Sequence, residues 1–444
     1  MDIVSLVPQF GGAVWTILAF IIALSIVVAV HEYGHYIVGR WSGIHAEVFS
    51  LGMGPVIASR VDKRGTRWQI AALPFGGYVR FLGDADAASA RAAVSIKDLS
   101  RQERARTMHG APLWARASTV AAGPAFNFLL SIAIFCLFFM VKGVATDLPV
   151  VGEVRALPWQ GQTLEPGDRV LSVNGQATPD LKTFMTVANA LPPAASAEYR
   201  VERAGQPVDL TGPFPFPPVA DTVQKPSGAA SAGMLAGDVV LAVNGAPTAS
   251  FGELREKVGA SGGEPVTLKI WRAGETVEAT LTPKRMDLPL PEGGFETRWL
   301  IGLSGGLVFE PETRTPGPLE AIRLGVDQTF SIIRTNLSGL WHMITGSISS
   351  CNLQGPIGIA EVSGAAASQG FGSFVWFIAI LSTAVGLMNL FPVPILDGGH
   401  LVFHAYEAVT RRPPSDRVMR VLMIGGMALL LALMVFAVTN DLSC

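Results

Sequence analysis

Long uncharged apolar runs alternate with mixed segments along the chain, and the runs set the architecture. Ile3–Val30 holds 28 residues without a charge, and Ala117–Val141 holds 25. A helix needs about 20 apolar residues to cross a bilayer core. Phe371–Ile395 and Val421–Asn440 are two further runs, the last flanked by Arg420 and Asp441. The pattern predicts four transmembrane helices, the first over about Ala13–Arg40. Thr335–Ala360 also lacks charge, but it is rich in Ser, Thr, Asn and Gly. With the interrupted helical spacing of Leu319–Ile348, it predicts an amphipathic helix at the interface rather than a span.

The segments between the runs read differently. Trp41–Arg116 is polar and basic, and its first half alternates around a turn near Asp62-Lys63-Arg64-Gly65, which predicts short strands. The apolar Leu73-Pro74-Phe75-Gly76-Gly77 points to a loop dipping toward the membrane, tolerated there only against protein or a wet cavity. A plain surface hairpin is the alternative. Pro149–Arg285 contains a repeat: Leu164–Gly175 matches Met234–Gly245 at an offset of 70 residues. Each copy reads as a Gly-Asp turn, a buried strand and an Asn-Gly turn. Helices are expected at Leu181–Leu191 and Phe251–Val258, and strands at Glu198–Arg203 and Val266–Trp271. The proline-rich 213–218 separates the copies as a stiff linker.

Composition sharpens the class. Of 444 residues, 49% are hydrophobic and only 15% charged, against about 25% charged in ordinary globular domains. The chain reads as a polytopic α-helical membrane protein. A net charge of −2 gives no sign of a nucleic-acid partner. Cys136, Cys351 and Cys444 are too scattered for a metal pattern or a disulfide framework. Met1-Asp2-Ile3 lacks the basic start of a cleavable signal peptide, so the first span is expected to stay attached.

The chemistry sits at the end of the first run, in His31-Glu32-Tyr33-Gly34-His35. Residues four apart share one helix face, so His31 and His35 can bind one zinc. Glu32 is rotated aside and can act on a water the metal holds. Ionisable groups at membrane depth cost roughly 2.5–3.5 kcal/mol each, which marks them as functional. A catalytic zinc takes a third protein ligand. Asp397, ending the third run, is the best candidate, with His400 and His404 as rivals; Pro392 and Pro394 break the helix before it. With four spans, the ends of the first and third reach the same side, next to the basic loops after Arg40 and around Arg411, Arg412, Arg417 and Arg420. Basic loops are cytoplasmic. A fifth span at 335–360 would separate Asp397 from the histidines. Asn127, beside the small Ala122-Gly123-Pro124 patch, either needs a polar partner or serves ordinary helix packing.

Three motifs together carry a resemblance: H-E-x-x-H in a first span, N-x-x-P-x-P-x-L-D-G at Asn389–Gly398, and two copies of the G-D-x-V-L-x-V-N-G pattern typical of PDZ domains. The chain resembles the site-2 family of intramembrane zinc metalloproteases over nearly its whole length. The resemblance implies zinc (Zn2+) on His31, His35 and Asp397, with Glu32 as general base. It implies substrate contacts from Asn389, Pro392, Pro394, Trp68, Ile70, Gly76, Gly77 and Asn127, the loop after span one holding substrate extended along strand edges. It further implies a bacterial inner-membrane location and single-pass membrane substrates, anti-sigma factors or leftover signal peptides, cut within the bilayer after another protease has removed their outer domain.

These readings divide the chain into a first span (1–40), a cytoplasmic loop with a re-entrant β-hairpin (41–116), a second span (117–142) and two periplasmic α+β PDZ domains (147–216 and 217–286) that can take a peptide. A linker with the interfacial helix (287–370), a third span (371–397), a cytoplasmic loop (398–420) and a fourth span (421–440) follow. The rival functions are an inactive membrane PDZ scaffold and a tethered zincin working in a soluble domain. The intact His31, Glu32, His35 and Asp397 oppose the first, and the lack of a third ligand in a polar helix opposes the second.

Overall fold

The computed structural model describes residues 3–84, 100–161, 164–225, 227–290 and 294–443. The chain forms two units. The first comprises Met1–Phe138, Leu319–Leu340 and Leu353–Cys444, the second Phe139–Pro318 and Trp341–Asn352.

The first unit opens with helix α1 (Ile3–Trp41). Val14, Trp15, Ile17 and Leu18 are exposed on it, as in a helix surrounded by lipid. Strands Ala46–Val61 and Arg67–Phe81 follow as a long antiparallel pair. The pair folds over on itself: 48–51 pairs with 67–70 on one side, 46–51 pairs with 77–81 on the other, and 56–61 pairs with 67–71. The free edges are therefore 56–61 and 77–81. Met53, Val56, Ile57 and Leu73 stand exposed, an apolar surface at home against lipid. Arg91 and Lys97 of the basic segment lie outside the described residues. After the short α2 (Arg101–Ala105), α3 (Leu113–Lys142) returns along α1. The two helices approach very closely. A Cβ on Gly34 would stand 2.5 Å from the Ala122 carbonyl oxygen, so the small-residue patch does bring helices together.

In the second unit the repeat is visible as two like sheets. One runs in the order 176–177, 169–173, 196–203, 206–213, the other 246–247, 239–243, 266–272, 275–281. Helices α4 (Leu181–Ala190) and α6 (Phe251–Ala260) follow the second strand of each, with the one-turn α5 (Gly228–Ser231) between them. Asn174 and Asn244 adopt φ of 46° and 49°, followed by Gly175 and Gly245 at 76° and 80°. Two successive positive φ values are what a tight Asn-Gly hairpin turn requires. The Gly-Asp element has a cause that the sequence did not disclose. Buried Asp168 takes two hydrogen bonds from the Arg203 guanidinium (2.8 and 2.7 Å) and one from Glu165 N–H. Asp238 repeats this with Arg272 (2.7 and 2.7 Å) and Leu235 N–H.

The repeats do not close within 147–216 and 217–286. Val151–Val154 pairs with Phe309–Pro311, and Ala220–Val223 pairs with Leu303–Gly305. Val308 and Phe309 are buried in the first core and Ile301 in the second. Residues 301–311, assigned to a linker by local pattern, are structural parts of both sheets. Strand pairing over such a separation leaves no mark in local periodicity.

α7 (Pro318–Ile344) leads the chain back to the first unit. It exposes Leu319, Ile322, Phe330 and Leu337 and is not among the helices apolar enough to span. Thr335–Ala360 is not one helix. α7 ends at Ile344, and α8 (Pro356–Ser368) starts anew with Gly364 against Thr16 of α1. Asp441 of the last helix accepts hydrogen bonds from the N–H groups of Gly355, Ile357 and Gly358, capping α8 from outside. α9 (Phe371–Asn389) stops eight residues short of Asp397, and the expected loop 398–420 instead holds α10 (Asp397–Thr410). α11 (Asp416–Ser443) completes the chain. Among the described residues four helices are long and apolar enough to cross a membrane: Gly12–Trp41, Leu113–Lys142, Phe371–Asn389 and Arg417–Ser443. Cys136 is free and Cys351 is disulfide-bonded, while Cys444 lies outside the described residues.

Candidate metal centre

Three residues from two helices bring one ligand atom each to a common point. α1 supplies His31 and His35 one turn apart, and the first residue of α10 supplies Asp397. His35 Nε2 lies 3.1 Å from His31 Nε2, and Asp397 Oδ2 lies 3.1 Å from His31 Nε2 and 3.5 Å from His35 Nε2. Asp397 Oδ2 is buried yet lacks a well-directed hydrogen bond. Tetrahedral zinc with bonds of about 2.0–2.1 Å separates its ligand atoms by about 3.3 Å, so the triangle fits such an ion. The rivals His400 and His404 lie farther along α10 and are not in the converging group.

α3 forms the wall behind the group. His35 Nδ1–H donates to the Thr119 carbonyl at 2.8 Å. His31 Nδ1 faces the Asn127 side-chain amide at 3.1 Å. Asn127 is wholly buried, and Ser131 and Ser382 hydroxyls both donate to its backbone carbonyl. The Ser382 bond ties α3 to α9. Gly123 fills the space between, because a Cβ there would stand 2.7 Å from His31 Nε2 and closer still to His35 Nε2. Gly123→Ala is therefore expected to abolish metal binding with the fold retained, read as bound zinc per chain beside the circular-dichroism spectrum. Full zinc occupancy in that variant would show that the gap at residue 123 has no part in the centre.

Asp397 is held by its own surroundings. Gly398 packs against the carbonyls of Leu390 and Phe391, and Gly399 against Val393 and Pro394, with no room for a Cβ at either. The turn 390–396 can thus fold flat onto the start of α10. Pro394 also meets Gly426 of α11. Asn389 donates to the Val385 carbonyl of its own helix.

Glu32 is not in the ligand group. It sits against the edge strand, where a Cβ on Gly77 would stand 3.1 Å from Glu32 Cγ, and Val79 N–H bonds its carboxylate. The hairpin residues divide accordingly. Gly77 borders Glu32, whereas Gly76 lies by the Met53 side chain and Ile70 is exposed on an inner strand. Trp68 packs on Phe49 (4.4 Å between ring centres) and Tyr36 (5.0 Å) and donates its Nε1–H to Asp62. Trp68 is half-buried against the core of this unit. The chemistry-bearing features missed in the sequence are Gly123, the Thr119 carbonyl and the use of Asn127 behind His31. The small patch at 122–124 was their one signal, and the facing of helices is not a local property.

The profile of peptidase family M50 matches residues 19–433. The chain is 36% identical to a provisionally named zinc metalloprotease of Agrobacterium fabrum, over 96% of this chain and 95% of the other. It is also 36% identical to a similarly named protein of Rhizobium meliloti, over 97% and 96%. To the regulator of sigma-E protease RseP of Salmonella typhimurium it is 33% identical, over 97% and 98%.

Proposed function

The chain belongs to peptidase family M50, and from that premise we propose that it is an intramembrane zinc endopeptidase cutting single-pass membrane proteins within their transmembrane segments. The observation carrying this is the convergence of His31, His35 and Asp397 inside a unit whose helices are long enough to span a bilayer. In this reading the histidines and Asp397 hold zinc. A bound zinc ion supplies Lewis-acid polarisation of the scissile carbonyl and a water acidified to near neutrality. Glu32 takes the proton of the attacking water and returns it to the leaving amine. Asn127 Nδ2 stands 3.1 Å from His31 Nδ1; a histidine that gives Nε2 to a metal keeps its proton on Nδ1, so in the metal-bound centre the amide is flipped to let its oxygen accept that proton. Asn127→Leu is expected to weaken zinc affinity about 10–100-fold, measured by competition with a chelator. Unchanged affinity would assign Asn127 to packing alone.

A substrate helix must unwind to be cut, and extended backbone in lipid needs hydrogen-bond partners. The edge strand 77–81, beside Glu32, offers them in the manner of β-strand addition. Gly77 is then the closest approach of substrate to base, and Asn389, Pro392 and Pro394 border the cut site from the other side. The basic ends of α1 and α11 support a cytoplasmic facing for the centre in a bacterial inner membrane. The disulfide at Cys351, in the second unit, supports an oxidising, periplasmic side for the repeats. There the two repeats, read as PDZ domains, act as a size filter that turns away substrates with an intact outer domain, anti-sigma factors before their first cut among them. A filter needs only bulk, whereas docking a free tail must overcome its ordering entropy.

The test is cleavage by purified protein in bilayers of a trimmed single-pass substrate, with the product ends mapped. Cuts inside the apolar segment, abolished by chelation and restored by zinc, are expected. Cuts outside the segment, or cuts that survive chelation, would overturn the reading. In the same assay, a chain lacking 144–314 should also cut untrimmed substrate. Those limits are set by the strands that close the sheets, so no half-sheet is left behind.

A further inference from the structure

A cleft of about 490 Å3 opens in the first unit below the last turn of α1, lined by Arg40, His45, Arg64, Thr66 and Arg106, with Tyr36 at its base. We propose that it binds a phosphate-bearing anion, the headgroup of an anionic phospholipid. Arg40 donates through one terminal nitrogen to the Tyr36 hydroxyl at 2.8 Å, while its other terminal nitrogen, Nη2, is buried with no hydrogen-bond partner. A buried guanidinium nitrogen left unsatisfied is costly, and an incoming oxyanion relieves it. The carboxylate next door is already engaged. Asp62 accepts from the N–H groups of Arg64 (2.8 Å) and Thr66 (3.0 Å), from Trp68 Nε1–H (3.2 Å) and from the Tyr36 hydroxyl (3.4 Å). Glu103 stands near Arg106, but its carboxylate caps the Ser100 N–H. Asp62 and Glu103 stand near, but among the described residues no carboxylate forms an ion pair with Arg40, Arg64 or Arg106, so the three guanidiniums keep their forks open to the cleft. The planar guanidinium fork matches phosphate oxygens.

Depth selects the source of the anion. Arg40 and Trp41 end the span Gly12–Trp41, which puts the cleft at the boundary between apolar core and water. Anionic headgroups concentrate there and are taken by basic pockets. The occupant would bridge three segments that line the cleft: the end of α1, the turn after Val61, and the chain following α2.

The test uses the full chain in nanodiscs of neutral phosphatidylcholine, with or without phosphatidylglycerol, read by native mass spectrometry for retained lipid and by the thermal unfolding midpoint. Retained phosphatidylglycerol and a raised midpoint are expected. Each basic residue near an anionic surface contributes roughly fivefold in affinity. The double variant Arg64→Gln with Arg106→Gln, both exposed side chains that should not disturb folding, should bind roughly 30-fold more weakly by the same scale. Arg323→Gln with Arg334→Gln, on α7, should bind like the parent. A parallel arm titrates inorganic phosphate in neutral detergent. A midpoint shift there equal to that from lipid, and lost in the double variant, supports the site but assigns it to a soluble phosphate. Equal phosphatidylglycerol retention by parent and double variant, or no shift with either ligand, overturns the proposal.

Discussion

Glu32→Gln is expected to lower peptide-bond cleavage by roughly 10²–10⁴-fold, the range a general base contributes, with bound zinc unchanged. The substitution keeps size and shape, so the contact with Gly77 on the edge strand survives. What it removes is the ability to accept a proton. Glu32 stands outside the triangle of His31, His35 and Asp397, so the metal should not register the change. The decisive pair of measurements is turnover on a trimmed substrate and zinc per chain on the same preparation. Zinc lost in step with activity would make Glu32 a ligand and remove the assigned base.

Asp397→Asn should do the reverse and strip the metal. Even partners outside the ligand sphere cost about 10–100-fold in affinity when lost, so a loss beyond about 100-fold is expected here. The amide is neutral, and half of its positions offer nitrogen instead of oxygen to a centre that already has two nitrogens. The site cannot adjust by moving, because Gly398 and Gly399 leave no slack between α10 and the turn before it. Arg116 adds a second clamp through two hydrogen bonds to Glu407, at 3.0 and 2.7 Å, farther along α10. Zinc affinity by competition should fall in Asp397→Asn and hold in His400→Ala. The opposite pattern would move the third ligand to His400.

Much of the first unit was legible because lipid simplifies the rules. A run without charge must span or be buried, and a histidine pair with a carboxylate at the end of such a run must be compensated. That reasoning reached His31, His35 and Asp397 from two ends of the chain, and the structure brings them together. It gave no helix at 397–410, since the two prolines before Asp397 signalled a break but not a restart. It did not show that Trp68 packs on Phe49 and Tyr36, because alternating strands do not say which face is covered. In the second unit the repeat was plain, while the Asp168–Arg203 and Asp238–Arg272 pairs and the strands at 303–311 were not. Each joins residues far apart in sequence, and no local period records such partnerships.

Those late strands bear on how the second unit comes into being. Its first strand, Val151–Val154, finds its partner at Phe309–Pro311, so a growing chain must complete the second repeat before the first is whole. Phe309 also meets Phe184 in the first repeat, 5.4 Å between ring centres. Synthesis therefore passes through a stage in which an open sheet edge and an unfilled core wait together, a state prone to misassembly. Once the last strand arrives, both repeats are sealed by one short stretch of chain. They should then melt in a single cooperative step, and a nick anywhere in 301–311 would loosen both at once.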